Sequence, residues 1–183
     1  DSDDDIRLES IEFLRSIAPQ CFDFIDFNFQ SLNDGELSGP VNSMTLKSGV
    51  YDVSDILRAQ LLECIGRFWT KAIRRDVMIE AGLWYPEYCY FEDNFLKFVL
   101  PFHVHRILKT NMVGYIYNED TGYSHNRPSP RFYDRMLTAL HGFECGFNLS
   151  SNDEERKWLE HWFSRLYLIG TVRQPLSKLP DQS

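Results

Sequence analysis

The sequence has 183 residues, of which 43% are hydrophobic and 25% charged, enough apolar material to build a core and too much for a disordered chain. Its net charge of −8 sits at one end: residues 1–40 carry ten Asp/Glu against two Lys/Arg, and residues 41–183 carry seventeen of each. Such a start suits a divalent cation and excludes a nucleic-acid surface, which needs a basic stripe, and no run approaches the ~18 uninterrupted apolar residues of a membrane span.

The chain in order reads as follows. Asp1 to Asp5 form an acidic opening, and Leu8, Ile11, Leu14 and Ile17 then recur at helical steps until Pro19. Phe22-Asp23-Phe24-Ile25-Asp26-Phe27-Asn28-Phe29 predicts a strand, closed by the turn chemistry of Asn33-Asp34-Gly35. Residues 31–50 read as a polar connection, with a short hairpin expected around Met44-Thr45-Leu46. A helix is expected over residues 52–65, with Val53, Ile56, Leu57, Leu61 and Ile65 on its apolar face. Residues 68–73 predict a short strand, and a short helix from Arg75 ends at Gly82.

The loop Trp84-Tyr85-Pro86-Glu87-Tyr88 leads to Phe91-Glu92-Asp93, which opens a helix predicted to run to Leu100 before Pro101. Residues 106–117 read as one or two strands, and residues 121–130 as a polar loop. Two amphipathic helices complete the chain. The first aligns Phe132, Met136, Leu140, Phe143 and Phe147; the second aligns Trp158, Trp162, Leu166, Ile169 and Val172, with Ser151 or Asn152 as its cap. The cysteines Cys21, Cys64, Cys89 and Cys145 form no Cys-x-x-Cys pair and read as reduced core residues.

Two acidic clusters carry the chemistry. Glu92 and Asp93 fall in a first helical turn, where negative charge is favoured with or without a reaction to perform. In the opening segment, Asp1-Ser2-Asp3 lets two carboxylates share a face of an extended chain, the oxygen donor set that hard divalent cations take. The same segment also reads as a calcium loop. Asp1, Asp3, Asp5, Glu9 and Glu12 fall on EF-hand ligand positions, although β-branched Ile6 stands where that loop calls for Gly. On this alternative the protein is a calcium-binding or interaction module.

Taken in order, Asp1-Ser2-Asp3-Asp4, the first helix and strand, Trp69-Thr70-Lys71, Arg74-Arg75, Gly82 and Phe91-Glu92-Asp93 resemble the second half of a family 2 glycosyltransferase. The resemblance implies an α/β fold: a partial GT-A domain, Rossmann-like with a mixed sheet, over residues 1–127, followed by a C-terminal helical extension over 128–183. It implies inverting transfer of a sugar from a nucleoside-diphosphate donor to a hydroxyl of a glycan or lipid-linked acceptor, as in surface polysaccharide synthesis.

By the same resemblance Asp3 is the direct ligand of Mg²⁺ or Mn²⁺ with Asp1 in support, Asp4 lies near the sugar, and Asp93 is the catalytic base. Glu92 orients the acceptor or Asp93, Trp69 and Lys71 line the cleft, and His125 and Arg127 reach the donor's diphosphate. Thr70 departs from the family's usual Asn. The family's nucleoside-binding half would precede Asp1, so the chain is expected to be a fragment, inactive alone. Its implied location is the cytoplasm, with room for peripheral contact at the inner face of the membrane through the late aromatic helices.

Overall fold

The computed structural model describes residues 4–64, 67–82, 87–119 and 134–165. The chain divides into two compact units, one made of residues 1–54, 64–81 and 104–127, the other of 55–63, 82–103 and 128–183.

The first unit is built on two parallel strands, β2 (Phe24–Asn33) and β6 (Arg106–Asn118). Four short strands pair antiparallel with them. β1 (Asp5–Ile6) and β4 (Gly49–Asp52) join β6 near its two ends, and β5 (Lys71–Ile73) and β3 (Glu36–Leu37) do the same for β2. The β2–β6 register shifts between Asp26 and Phe29, where Lys109 faces Asp26 but Val113 faces Asn28, a bulge that re-aims the side chains around it.

Alternation along β2 gives the sheet two different faces. Ile25 and Phe27 join Phe22 and Ile17 in an apolar cluster packed by Phe13 and Leu14 of α1 (Leu8–Ile17). Gly114 permits this approach, because a Cβ there would stand 2.6 Å from the Phe27 ring. The other face carries Phe24, Asp26 and Asn28, all buried.

Several local expectations need correction. The hairpin is β2–β3, not one at residues 44–46; Asp34 and Gly35, with φ of 49° and 77°, form its two-residue turn, and Met44 is buried. Residues 49–52 are strand, and the helix α2 (Asp55–Cys64) starts only after Val53 N–H has bonded His105 O at 2.7 Å, because β6 offered an edge to pair. Residues 68–70 are a 3₁₀ turn, since Thr70 bends back to Arg67 O. Cys21 is exposed, in a left-handed turn at φ 53°, and so is no core residue. The short helix α3 (Arg75–Glu80) ends beside Gly82 at φ 62°, as its glycine foretells.

The second unit packs α4 (Asp93–Val99), α5 (Asp134–Leu149), α6 (Asp153–Arg165) and most of α2. Leu62, Phe98, Ala139, Leu159 and Trp162 form its core, with Phe102, Phe143, Phe147 and Phe163 around them. On α5 the contact face is not centred on the large residues. Gly142 and Gly146 lie against the backbone of α4, where an added Cβ would come within 2.8 Å of Phe95 O and 2.6 Å of Phe98 O respectively, and Leu140 turns outward.

The cap of α6 is Asn152, whose Oδ1 accepts the Glu155 N–H at 2.9 Å. Trp158 and Ile56, expected on buried faces, are exposed. Phe132, Ile65 and residues 166–172 lie outside the described residues. No helix among the described residues is long and apolar enough to cross a membrane.

Candidate active site

Asp93 is the first residue of α4, and the chain reaches it through an unusual path. Tyr88 and Phe91 both have φ of 59°, a left-handed conformation that costs a non-glycine residue on the order of 1–2 kcal/mol. That turn lets the Phe91 carbonyl accept the Asn94 N–H at 3.1 Å, and the Glu92 carbonyl accept the Phe95 N–H at 3.3 Å, closing the helix start. The first turn of α5 holds the same segment. Asp134 Oδ2 accepts the Tyr90 N–H at 3.0 Å, and Thr138 Oγ1 donates to Phe91 O at 2.9 Å.

The Asp93 carboxyl is half-buried, and burial, followed by the neighbouring Glu92 carboxylate, pushes its pKa up to about 6. Backbone N–H groups at the helix start and the Arg135 guanidinium act in the opposite direction and are outweighed. A carboxylate poised close to neutrality is ionised at pH 7, yet more basic than an exposed aspartate. Those are the properties of a general base. Glu92 stays exposed beside it.

In the first unit, Asp4 is fixed at the β1–β6 corner. Its Oδ2 accepts the Tyr115 hydroxyl at 2.6 Å and its Oδ1 the Asn118 N–H at 2.7 Å. Tyr115 belongs to an aromatic group centred on Trp69, which lies 4.8 Å from Tyr115, 5.3 Å from Tyr117 in a stacked arrangement, and 4.9 Å from Phe29 edge to face. Trp69 is therefore half-buried packing as well as a ring next to the acidic corner.

Lys71 does not line a cleft. Its side chain has no exposed surface, and its Nζ lies 2.9 Å from Asp26 Oδ1 and donates to Arg67 O at 2.8 Å. The cause is register: Asp26 of β2 is the direct cross-strand partner of both Lys71 on β5 and Lys109 on β6. Lys109 Nζ lies 3.1 Å from Asp26 Oδ2 and donates to Asn28 Oδ1 and Thr110 O. Thr70 and Ser43 hydroxyls complete the shell of Asp26. Sequence reading missed this cluster, although Asp26 and Asn28 in phase with buried Phe24 were a signal of polar groups facing inward.

Asp1, Asp3, His125 and Arg127 lie outside the described residues. Among the described residues, no three His, Cys, Asp or Glu side chains come together as a metal-binding group. The calcium loop does not form as the alternative requires. Asp5 is in strand β1, and Glu9 and Glu12 stand exposed on α1, which begins at Leu8, so the segment is extended and then helical where a loop should wrap an ion.

No family model matches the sequence, and no curated protein matches it. Solved structures do. S. aureus TarS 1-349, in complex with UDP-GlcNAc, matches with a TM-score of 0.69 at 17% identity over 100% of this chain and 51% of that one. A second structure of S. aureus TarS 1-349 matches with a TM-score of 0.66 at 15% identity, over 100% and 49% of the two chains. A structure of S. aureus TarS gives 0.67 at 16% identity, over 100% of this chain and 30% of that one. The chain thus spans about half the length of the TarS 1-349 structures it matches. Identity at this level speaks for the fold alone: the chain has a mixed α/β fold with helices, shared with the TarS structures.

Proposed function

We propose that this chain carries the metal and acceptor half of an inverting, family 2 glycosyltransferase that moves a sugar from a nucleoside diphosphate to an acceptor hydroxyl. The observation that carries the reading is Asp93: a half-buried carboxylate with its pKa raised to about 6, at a helix start, within a glycosyltransferase fold. UDP-GlcNAc, bound in one TarS structure, is the first donor to test. The acceptor is a glycan or a lipid-linked glycan, the second reached by peripheral membrane contact.

In this mechanism Asp93 accepts the proton of the acceptor hydroxyl as its oxygen attacks the anomeric carbon from the face opposite the diphosphate. One in-line displacement inverts the configuration and needs one base. Asp93 enters ionised, and partial desolvation keeps it basic. Glu92 orients the acceptor, its exposed carboxylate lying next to the base. Asp4, held by Tyr115 and Asn118, and the Trp69 ring face the donor sugar. Asp3, with Asp1 in support, is the proposed holder of Mg²⁺ or Mn²⁺, which when bound neutralises charge on the departing diphosphate. Residues 1–127 form the catalytic part and 128–183 its helical extension, and His125 and Arg127 belong to the diphosphate side.

The test is Asp93→Asn in the full-length protein. Turnover should fall about 10²–10⁴-fold, the usual worth of a general base, with donor affinity by calorimetry unchanged. Near-normal turnover in this variant would remove Asp93 from the chemistry and the reading with it.

A further inference from the structure

Asp93 owes its position to a neighbouring helix more than to its own. The segment before it holds Phe91 in a left-handed conformation that only outside contacts can maintain. Those contacts come from one end of α5. Asp134 takes the Tyr90 N–H, Thr138 one turn later donates to the Phe91 carbonyl, and the Arg135 guanidinium lies over the Phe91 ring at 5.5 Å. Further along, Gly142 and Gly146 set α5 directly on the backbone of Phe95 and Phe98. The same helix therefore grips the chain on both sides of Asp93, before it through polar contacts and after it through close packing.

We propose that Asp134, Arg135 and Thr138 form a clamp that positions the catalytic base, with Arg135 the positioning residue whose opposite charge partly offsets that of Asp93. This rests on the reading of Asp93 as the base. The charged groups that act on Asp93 are Glu92, beside it in the chain, and Arg135 from α5; Glu92 raises its proton affinity and Arg135 lowers it. Asp134 is engaged by the Tyr90 N–H, and His141 of α5 stacks on Phe95 at 5.0 Å, two residues beyond the base. Arg135 itself feels the reciprocal pull: burial lowers its pKa and Asp93 raises it. Thr138 has a different task. Its hydroxyl fixes the carbonyl that starts the turn into α4, so it governs where the carboxylate points and not how it ionises.

The experiment compares Arg135→Gln, Arg135→Lys and Thr138→Val. The midpoint of the Asp93 carboxyl is followed by ¹³C NMR, and the acidic limb of the kcat/KM–pH profile is followed in the full-length protein. In Arg135→Gln both should move to higher pH by roughly 0.5–1 unit, the loss of one nearby opposite charge. Arg135→Lys should restore both to within about 0.3 of wild type. Thr138→Val should lower kcat several-fold with donor KM and the limb unmoved. An unmoved midpoint in Arg135→Gln overturns the proposal, whatever the activity. If Arg135→Gln does not fold, Arg135→Lys decides: a midpoint displaced as far as loss of the charge predicts overturns the proposal as well. Failure of the enzyme reading is distinct, because active Asp93→Asn leaves the NMR midpoints to be judged by themselves.

Discussion

Asp26 and Asp93 are both carboxylates removed from water, and the structure treats them in opposite ways. Asp26 is fully buried, yet two ammonium groups and two hydroxyls surround it. Asp93 is only half-buried, yet the like charge of Glu92 acts on it more strongly than the opposite charge of Arg135, and its proton affinity rises. Depth of burial is thus a poor guide to function. A carboxylate whose desolvation is answered by its neighbours tends to hold strands in register; one whose desolvation is left partly unanswered keeps the drive to take a proton.

Replacing each by its amide separates the two roles. The largest effect belongs to Asp93→Asn and appears in turnover, as argued above. Asp26→Asn should leave two buried ammonium groups facing a neutral amide and cost about 3–5 kcal/mol, seen as a large fall in the denaturation midpoint. A cost near zero would mean that water reaches the cluster and that the contrast between the two sites is false.

The next effect has the reverse sign. Asp93 has a folded pKa of about 6, above the ordinary value of 3.8, so the folded state holds the proton more tightly. That preference stabilises the fold fully below about pH 4 and is lost as pH rises through about 6. At pH 7 the wild type therefore carries an ionisation cost on the order of 1–3 kcal/mol that Asp93→Asn avoids. The variant should be more stable than wild type at pH 7 and equal to it near pH 4, by denaturant unfolding at both pH values. A variant that gains stability and loses turnover marks a site kept for chemistry.

Much of this contrast was legible in the sequence at one site and little at the other. The helix start at Asp93 was legible because a local pattern, an aromatic turn, two acids and a helical period, lies in consecutive residues. The pairing of Asp26 with Lys71 and Lys109 depends on strand register between segments 45 and 83 residues apart, which no local period encodes. The same limit displaced Lys71: Trp69-Thr70-Lys71 was read as one strand facing a cleft, but the 3₁₀ turn at 68–70 rotates the lysine inward. On α5, the apolar stripe was visible and the contact was not, because glycines leave no mark on a hydrophobic pattern even where they allow the closest approach. Element order and the mixed α/β class were readable because helical and strand periods alternate along the chain.

The smallest expected effect asks whether both lysines are needed. One carboxylate with two ammonium groups leaves the cluster with an excess positive charge in a desolvated place. Burial lowers the pKa of Lys71, a pull that Asp26 opposes without cancelling and to which Lys109 and Arg67 add. A lysine whose folded pKa is depressed costs stability wherever the ammonium must exist, and that cost is relieved as pH rises from the folded value towards 10.5. Lys71→Met removes the less settled charge and leaves Asp26 and Lys109 as a balanced pair. Its Nζ bonds to Arg67 O and Thr70 Oγ1 are lost, but Thr70 still donates to Asp26. The substitution should therefore change stability by less than about 1.5 kcal/mol at pH 7, against the 3–5 kcal/mol of Asp26→Asn, since hydrophobic replacement of one buried ion is tolerated when the remainder is paired. It should also flatten the rise of stability that the wild type is expected to show as pH climbs towards 10.5. A loss as large as that of Asp26→Asn would make Lys71 the chief partner of the carboxylate and Lys109 the surplus charge.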